Sequence, residues 1–303
     1  MTIRKIFNPG LSVFLLLITV FIVPGCKGKK EKNDFSFVFM TDIHITPERN
    51  AVPGFSQAIS TVNELKPDFV ITGGDLIMDA LGVSYGQADS LYNLYQETVK
   101  ELHMPVYNTM GNHEIYGIYP SSGADPDNPE YGEKMFEKRL GKSYYSFEYK
   151  GWKFMILNSV EDTGKGRYVG FIDDNQMRWI IEELQKTDPA IPIVLSTHIP
   201  FLTARTQKYA GSTVASDSGT VVYNSRQVLD LFSGYNLKIV LQGHLHTLED
   251  IYIDNIHFIT GGAISANWWN GPRDGDEEGF LLVNVSGGDF SWKYIDYGWE
   301  VLR

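Results

Sequence analysis

Gly243-His244-Leu245-His246 sets two imidazoles one residue apart behind a glycine. Such a pair can face adjacent cations only if the backbone turns tightly, which glycine permits. Related blocks recur along the chain: Thr41-Asp42-Ile43-His44, Gly73-Gly74-Asp75, Gly111-Asn112-His113-Glu114 and Ser196-Thr197-His198, each just beyond an apolar run that reads as a strand. Five of the 7 histidines fall in these blocks. Imidazole and carboxylate together suit Fe, Mn, Zn or Co better than Ca or Mg, and one carboxylate has two oxygens with which to span a cation pair. Five blocks in this order, each at a strand end, point to a two-metal site.

Ligands so far apart in sequence need a frame that gathers strand ends on one edge. Phe35–Met40 is nearly continuously apolar, as a buried strand is, and Asp42 and His44 hang off its end. Phe55, Ile59, Val62 and Leu65 have helical spacing, Phe69–Thr72 is the next strand, and a polar helix over about 88–102 leads to a strand at Val106–Thr109. Three strands with helices between them thus deliver polar residues at the same end, the carboxyl-edge rule of α/β sheets. Tyr116–Tyr131, rich in Pro, Gly, Asp and Tyr, is expected as a loop over the site. Ser143–Tyr149 and Lys153–Leu157 read as a hairpin and Asp174–Lys186 as a helix, while Ile191–Leu195 and Leu237–Leu241 are strands delivering His198 and the histidine pair. Short alternating strands follow at Glu249–Ile253, Asn255–Thr260, Gly279–Asn284 and Phe290–Tyr297. The expectation is one α/β domain over residues 35–303.

A net charge of −11 argues against a nucleic-acid backbone or an anionic membrane surface as the main partner, since both call for a basic patch. Near the start, Arg4 and Lys5 precede an apolar run, Leu11–Val23, shorter than the ~20 residues a membrane-spanning helix requires. Residues 1–25 therefore read as a signal peptide. Val23-Pro24-Gly25-Cys26 ends the run with the chain's one cysteine and resembles the lipobox of bacterial lipoproteins. The expectation is an exported lipoprotein acylated at Cys26 and held to a membrane by its acyl chains, with residues 26–34 as a charged tether.

Taken together and in order, the blocks from about Phe37 to Gly262 resemble the calcineurin-like metallophosphoesterase superfamily. Ser143-Tyr144-Tyr145-Ser146-Phe147 and Trp179-Ile180-Ile181-Glu182-Glu183-Leu184 are similar to its branch of cyclic-nucleotide phosphodiesterases and purple-acid-phosphatase relatives. The resemblance implies a four-layer αββα sandwich of two mixed β-sheets flanked by helices, with a dinuclear site at the sheet edge. By position, one transition-metal ion would take Asp42, His44 and His246, the other Asn112, His198 and His244, with Asp75 bridging. His113 matches a histidine that contacts phosphate and protonates the leaving oxygen, and Asn112 would help hold the phosphate. The implied reaction is hydrolysis of a small-molecule phosphate mono- or diester by in-line attack of a metal-bridging hydroxide. A phosphodiesterase for cyclic nucleotides or glycerophosphodiesters is the alternative within that class, and a non-catalytic ligand-binding lipoprotein is the alternative outside it. Gly74-Asp75-Leu76-Ile77-Met78-Asp79 lacks the arginine of protein phosphatases, and Met78 stands where purple acid phosphatases have a tyrosinate.

Other constellations compete. Gly82-Val83-Ser84-Tyr85-Gly86 fits a serine-hydrolase elbow, but no strand runs directly into it. Trp268 and Trp269 sit among Gly and Asn and are expected to line a substrate pocket. Asp274, Asp276, Glu277 and Glu278 match no EF-hand spacing and read as a solvated acidic loop, and His103 and His257 as structural or surface residues.

Overall fold

The computed structural model describes residues 33–301; the signal-peptide core and the Cys26 lipobox lie outside them. The elements run β1 (Phe35–Met40), α1 (Ala51–Leu65), β2 (Phe69–Thr72), α2 (Tyr85–Val99), β3 (Val106–Asn108), α3 (Lys134–Leu140), β4 (Tyr145–Tyr149) and β5 (Trp152–Ile156). They continue with β6 (Val160–Asp162), β7 (Tyr168–Gly170), α4 (Asp174–Gln185), β8 (Pro192–Ser196), α5 (Arg205–Ala210), α6 (Ser225–Leu231) and β9 (Asn236–Gln242). Last come β10 (Leu248–Ile253), β11 (Ile256–Gly261), β12 (Gly279–Ser286) and β13 (Asp289–Asp296).

Two mixed sheets result, ordered β13-β12-β1-β2-β3 and β10-β11-β9-β8-β5-β4, with β6-β7 a separate hairpin. Alternation along the strands decides what lies between them. Phe35, Phe37, Phe39, Phe69, Ile71 and Val283 of the first sheet pack against Trp152, Phe154, Ile156, Val194, Ile239 and Leu241 of the second. The opposite faces carry Val38, Met40 and Val70 under Phe55, Ile59 and Val62 of α1 and Tyr92 and Tyr95 of α2. On the second sheet, Met155, Ile193, Leu195 and Val240 share a core with Ile180 and Leu184 of α4 and Val228 of α6. This is the expected αββα sandwich. Full burial of each such aliphatic or aromatic side chain contributes about 1.5–3 kcal/mol, so the double-sided apolar strands are the main support of the frame.

β1, β2 and β3 run parallel, as do β5, β8, β9 and β11, so both sheets end on one edge where the polar blocks begin. The sheets are joined there by side chains: Thr109 Oγ1 lies 2.8 Å from Ser196 Oγ, and His198 Nδ1 donates to Gly73 O at 2.8 Å. The stretch 116–132 is tied to the segment following Asp75 by Gly117 N to Ala80 O and Tyr119 N to Leu81 O, both 2.9 Å. Its far end is anchored by Glu130, which is paired with Lys138 and Arg139.

Candidate metal centre

Three of the five polar blocks leave their strands through a backbone that L-residues rarely adopt. Asp42, His44, Asp75, His244 and His246 all have positive φ, between 48° and 70°. Five left-handed non-glycine residues at one edge mark a place where side-chain direction outweighs backbone comfort. Two glycines make the approach possible by lacking a side chain. A Cβ on Gly243 would stand 2.1 Å from Thr41 Oγ1, and one on Gly111 would stand 2.3 Å from Asp75 N. Gly243 has no positive φ, so its role is space rather than the tight turn expected from the sequence.

The side chains converge as two buried groups around one carboxylate. Asp42 Oδ1 lies 3.2 Å from His246 Nε2, which is 3.0 Å from His44 Nε2. His44 Nε2 is 3.6 Å from Asp75 Oδ2. On the other side, His198 Nε2 is 3.1 Å from both Asp75 Oδ1 and Asn112 Oδ1, and His244 joins Asp75 and His198 in a metal-sized cluster. Asp75 thus turns one oxygen to each group. Every residue expected as a ligand is brought here.

The donor set fits cations. Ligands each about 2.1 Å from one ion stand about 3.0–3.4 Å apart, close to the shorter of these separations. Carbonyl oxygens only accept, so they fix the ring protons: His198 gives Nδ1–H to Gly73 O, His246 gives Nδ1–H to Ala266 O, and His244 gives Nε2–H to Gly219 O at 3.0 Å. The remaining ring nitrogen of each is left as a lone pair, the arrangement that backbone carbonyls impose on metal-ligating histidines. His44 Nδ1 is buried without a partner among the described residues. Without cations the field is strongly polarised. Burial opposes ionisation of Asp42, yet His246 holds it down at about 2. Burial likewise opposes protonation of His198, yet Asp75 pushes it up to about 9. Burial and the charge on His198 hold His244 at about 4.

His113 stands at the rim, with Nε2 3.9 Å from Asp75 Oδ2 and its ring edge-on to His44 at 4.6 Å. Its Nδ1 donates to Met78 O. Glu114, by contrast, is fully buried, and its importance was not evident from sequence. One oxygen accepts Asp75 N at 2.9 Å and Gly111 N at 2.7 Å, the other Leu76 N at 2.8 Å and Ile77 N at 3.2 Å. This carboxylate clamps the loop that aims Asp75. Burial and the Asp75 charge push its pKa up to about 7, against the pull of the amides.

The tryptophan pair divides. Trp268 packs on His246 with ring centroids 4.6 Å apart. Trp269 is 1% exposed and donates Nε1–H to Ile43 O at 3.0 Å and His44 O at 3.1 Å. It supports the His44 turn from below and cannot touch a ligand, which corrects the expectation that it lines a pocket. Ser84 caps α2, its Oγ donating to Gln87 Oε1 at 2.8 Å with no histidine partner among the described residues, so it is not an activated nucleophile. The acidic turn is not fully solvated either: Asp276 Oδ2 accepts Thr247 Oγ1 at 2.8 Å, and Glu278 is buried. His103 is exposed, and His257 pairs with Asp250 at 3.0 Å away from the site.

The family model described as calcineurin-like phosphoesterase matches residues 35–248, a span that holds both clusters, Asp75 between them and His113. The chain belongs to the calcineurin-like phosphoesterase family. It is a hydrolase of phosphoester bonds, and its residue clusters make a candidate dimetal site. A probable glycerophosphodiester phosphodiesterase of Arcobacter nitrofigilis is 23% identical over 214 residues, 67% of this chain and 66% of the relative, so the match spans just under two thirds of that protein. A probable cyclic nucleotide phosphodiesterase of Xenorhabdus bovienii is 21% identical over 86% of this chain and 94% of its own length. Among solved structures, a dimetal phosphatase from Danio rerio superposes with a TM-score of 0.57 at 14% identity, covering 87% of this chain and 99% of that one. The anchor in the inner membrane complex of Plasmodium reaches 0.56 at 13% identity, covering 90% and 88%. At such identities these two structures establish the fold of this calcineurin-like phosphoesterase and nothing finer.

Proposed function

We propose that this phosphoesterase hydrolyses small-molecule phosphodiesters at the site of Asp42, His44, Asp75, Asn112, His113, His198, His244 and His246. The single observation that carries the site is Asp75, whose two oxygens face two separate histidine groups. Both curated relatives are named phosphodiesterases, which supports the diester class over monoesters. Asp42, His44 and His246 would hold one transition-metal ion, Fe, Mn, Zn or Co, and Asn112, His198 and His244 the other, with Asp75 shared. Bound there, a cation pair lowers the pKa of a water towards neutrality and neutralises phosphoryl oxygens.

The chain's own residues do the rest. Carbonyl bonds from Gly73, Gly219 and Ala266 hold three imidazoles in the required tautomers before any ligand arrives. His113 commits Nδ1–H to Met78 O, so only its imidazolium form has a proton on Nε2 to give to a departing alkoxide. That nitrogen lies 3.9 Å from Asp75 Oδ2, on the side of the candidate metal cluster. A binding-only protein on the same scaffold is disfavoured because no ligand position is missing.

Chelation is expected to abolish hydrolysis of phosphodiesters, and Mn, Fe, Co or Zn to restore it. A substrate panel of monoesters, linear diesters and cyclic nucleotides on reconstituted protein ranks the classes. Full activity after exhaustive chelation would sink the proposal, and turnover confined to monoesters would overturn the diester part.

We propose also that the protein is exported and anchored through acylated Cys26, a reading supported by the sequence of residues 1–26 alone. Wild-type protein should partition with membranes, and Cys26→Ser should release it or block processing. Wholly soluble wild-type protein, cleaved elsewhere than before Cys26, contradicts this.

A further inference from the structure

Among the described residues, the Arg273 guanidinium has no counter-ion of its own. Its Cζ lies 4.7 Å over the Trp268 ring, and that ring packs on His246 at 4.6 Å and His44 at 5.9 Å, one aromatic thickness from the Asp42 cluster. The Trp268 backbone is fixed in turn by Arg49 Nη1, which donates to Trp268 O at 3.1 Å. The nearest ion-pair contact of Arg273 is Asp274 Oδ2, 4.0 Å from Nε, and that carboxylate already binds Arg205 Nη2 at 3.0 Å. Arg205 Nε is itself buried without a partner among the described residues. One carboxylate therefore serves two half-buried guanidiniums beside the metal cluster, in a chain whose net charge is −11. A half-buried cation with unfilled planar donors is the geometry that takes an oxyanion by paired hydrogen bonds.

We infer that Arg273 forms an anion subsite beside the metal centre, and that the substrate carries a second anionic group, a carboxylate or a further phosphoryl group, on its Trp268 side. The inference rests on the phosphoesterase reading for what occupies the metals. Trp268 then acts as a spacer: its ring packs against both the histidines and the guanidinium, so its part is to hold Arg273 at a set distance from the metals. Burial and the neighbouring Arg205 pull the pKa of Arg273 down, as expected for a cation short of counter-charge.

The test is an equilibrium one. Binding of phosphonoalkanoates of graded chain length to metal-loaded protein is measured by calorimetry against alkylphosphonates that lack the carboxylate, with bisphosphonates of the same lengths as a second anionic arm. Wild-type protein is expected to prefer at least one anionic arm by about 10-fold or more, the scale of a charge-assisted contact. Arg273→Met, which keeps the stem over Trp268, should bring the ratio close to unity, and Arg273→Lys should retain part of it. Equal affinities in wild-type protein, or a preference that survives in Arg273→Met with unchanged metal content, overturns the subsite. If Arg273→Met does not fold, an undiminished ratio in Arg273→Lys overturns the paired contact. Absence of turnover on every phosphoester would count against the proposed function instead, because the affinity ratio does not depend on turnover.

Discussion

Asp75→Asn is expected to strip the site of at least one cation and to abolish hydrolysis. The two carboxylate oxygens lie 3.1 Å from His198 Nε2 and 3.6 Å from His44 Nε2, so this one group provides negative charge to both sides. Asparagine keeps the shape and one acceptor, but it replaces the charged second oxygen with an N–H₂ donor aimed at a ligand histidine. The affinity loss should exceed the ~10–100-fold typical of removing an outer-shell partner. It should also exceed that of Asn112→Ala, which removes only a neutral oxygen. Metal content after purification checks this; two ions retained in Asp75→Asn rules out the bridging role.

His113→Ala is expected to spare metal binding and to slow turnover by the ~10²–10⁴-fold of a lost general acid. The defect should be greatest for diesters with poor, high-pKa leaving groups and smallest for nitrophenolate, which departs without a proton. The geometry supports the distinction. His113 Nδ1 is committed to Met78 O, and its Nε2 stands farther from Asp75 than that of His44 or His198. The measurement is kcat/KM across a leaving-group series beside metal content. A uniform loss would reduce His113 to holding phosphate, and loss of metal would make it a ligand, as its cluster with His44 and Asp75 allows.

The convergence of the candidate site was largely legible in the sequence because each polar block follows an apolar strand, and parallel strands in α/β sheets present their carboxyl ends together. What could not be read was anything decided by contact across the edge. Glu114 looked like the tail of a block, and only the approach of the Asp75 loop to the 111–114 turn turns it into an acceptor for four amides. Adjacent tryptophans carry no periodicity, so nothing in Trp268-Trp269 said which indole would find Ile43 O in the core. Arg273 was silent for the same reason, since its significance comes from stacking over a ring five residues back.

The frame shows the same division. β1, β2, β5, β8 and β9 were visible as apolar runs, whereas α3, α5 and α6 were not. α5 buries no side chain, α6 buries only Val228 and α3 only Met135 and Phe136, too few for a helical stripe to stand out. The hairpin β6-β7 has strands of 3 residues, below the length at which alternation is informative. Its Tyr168 nonetheless reaches His244, edge-on at 6.3 Å.

The most direct test of the account is an anomalous-diffraction map of crystals of Mn-loaded protein. The expected result is two peaks about 3.5–4 Å apart, one among Asp42, His44 and His246, the other among Asn112, His198 and His244, with Asp75 reaching both. A single peak, or a pair in which Asp75 contacts only one, would contradict it.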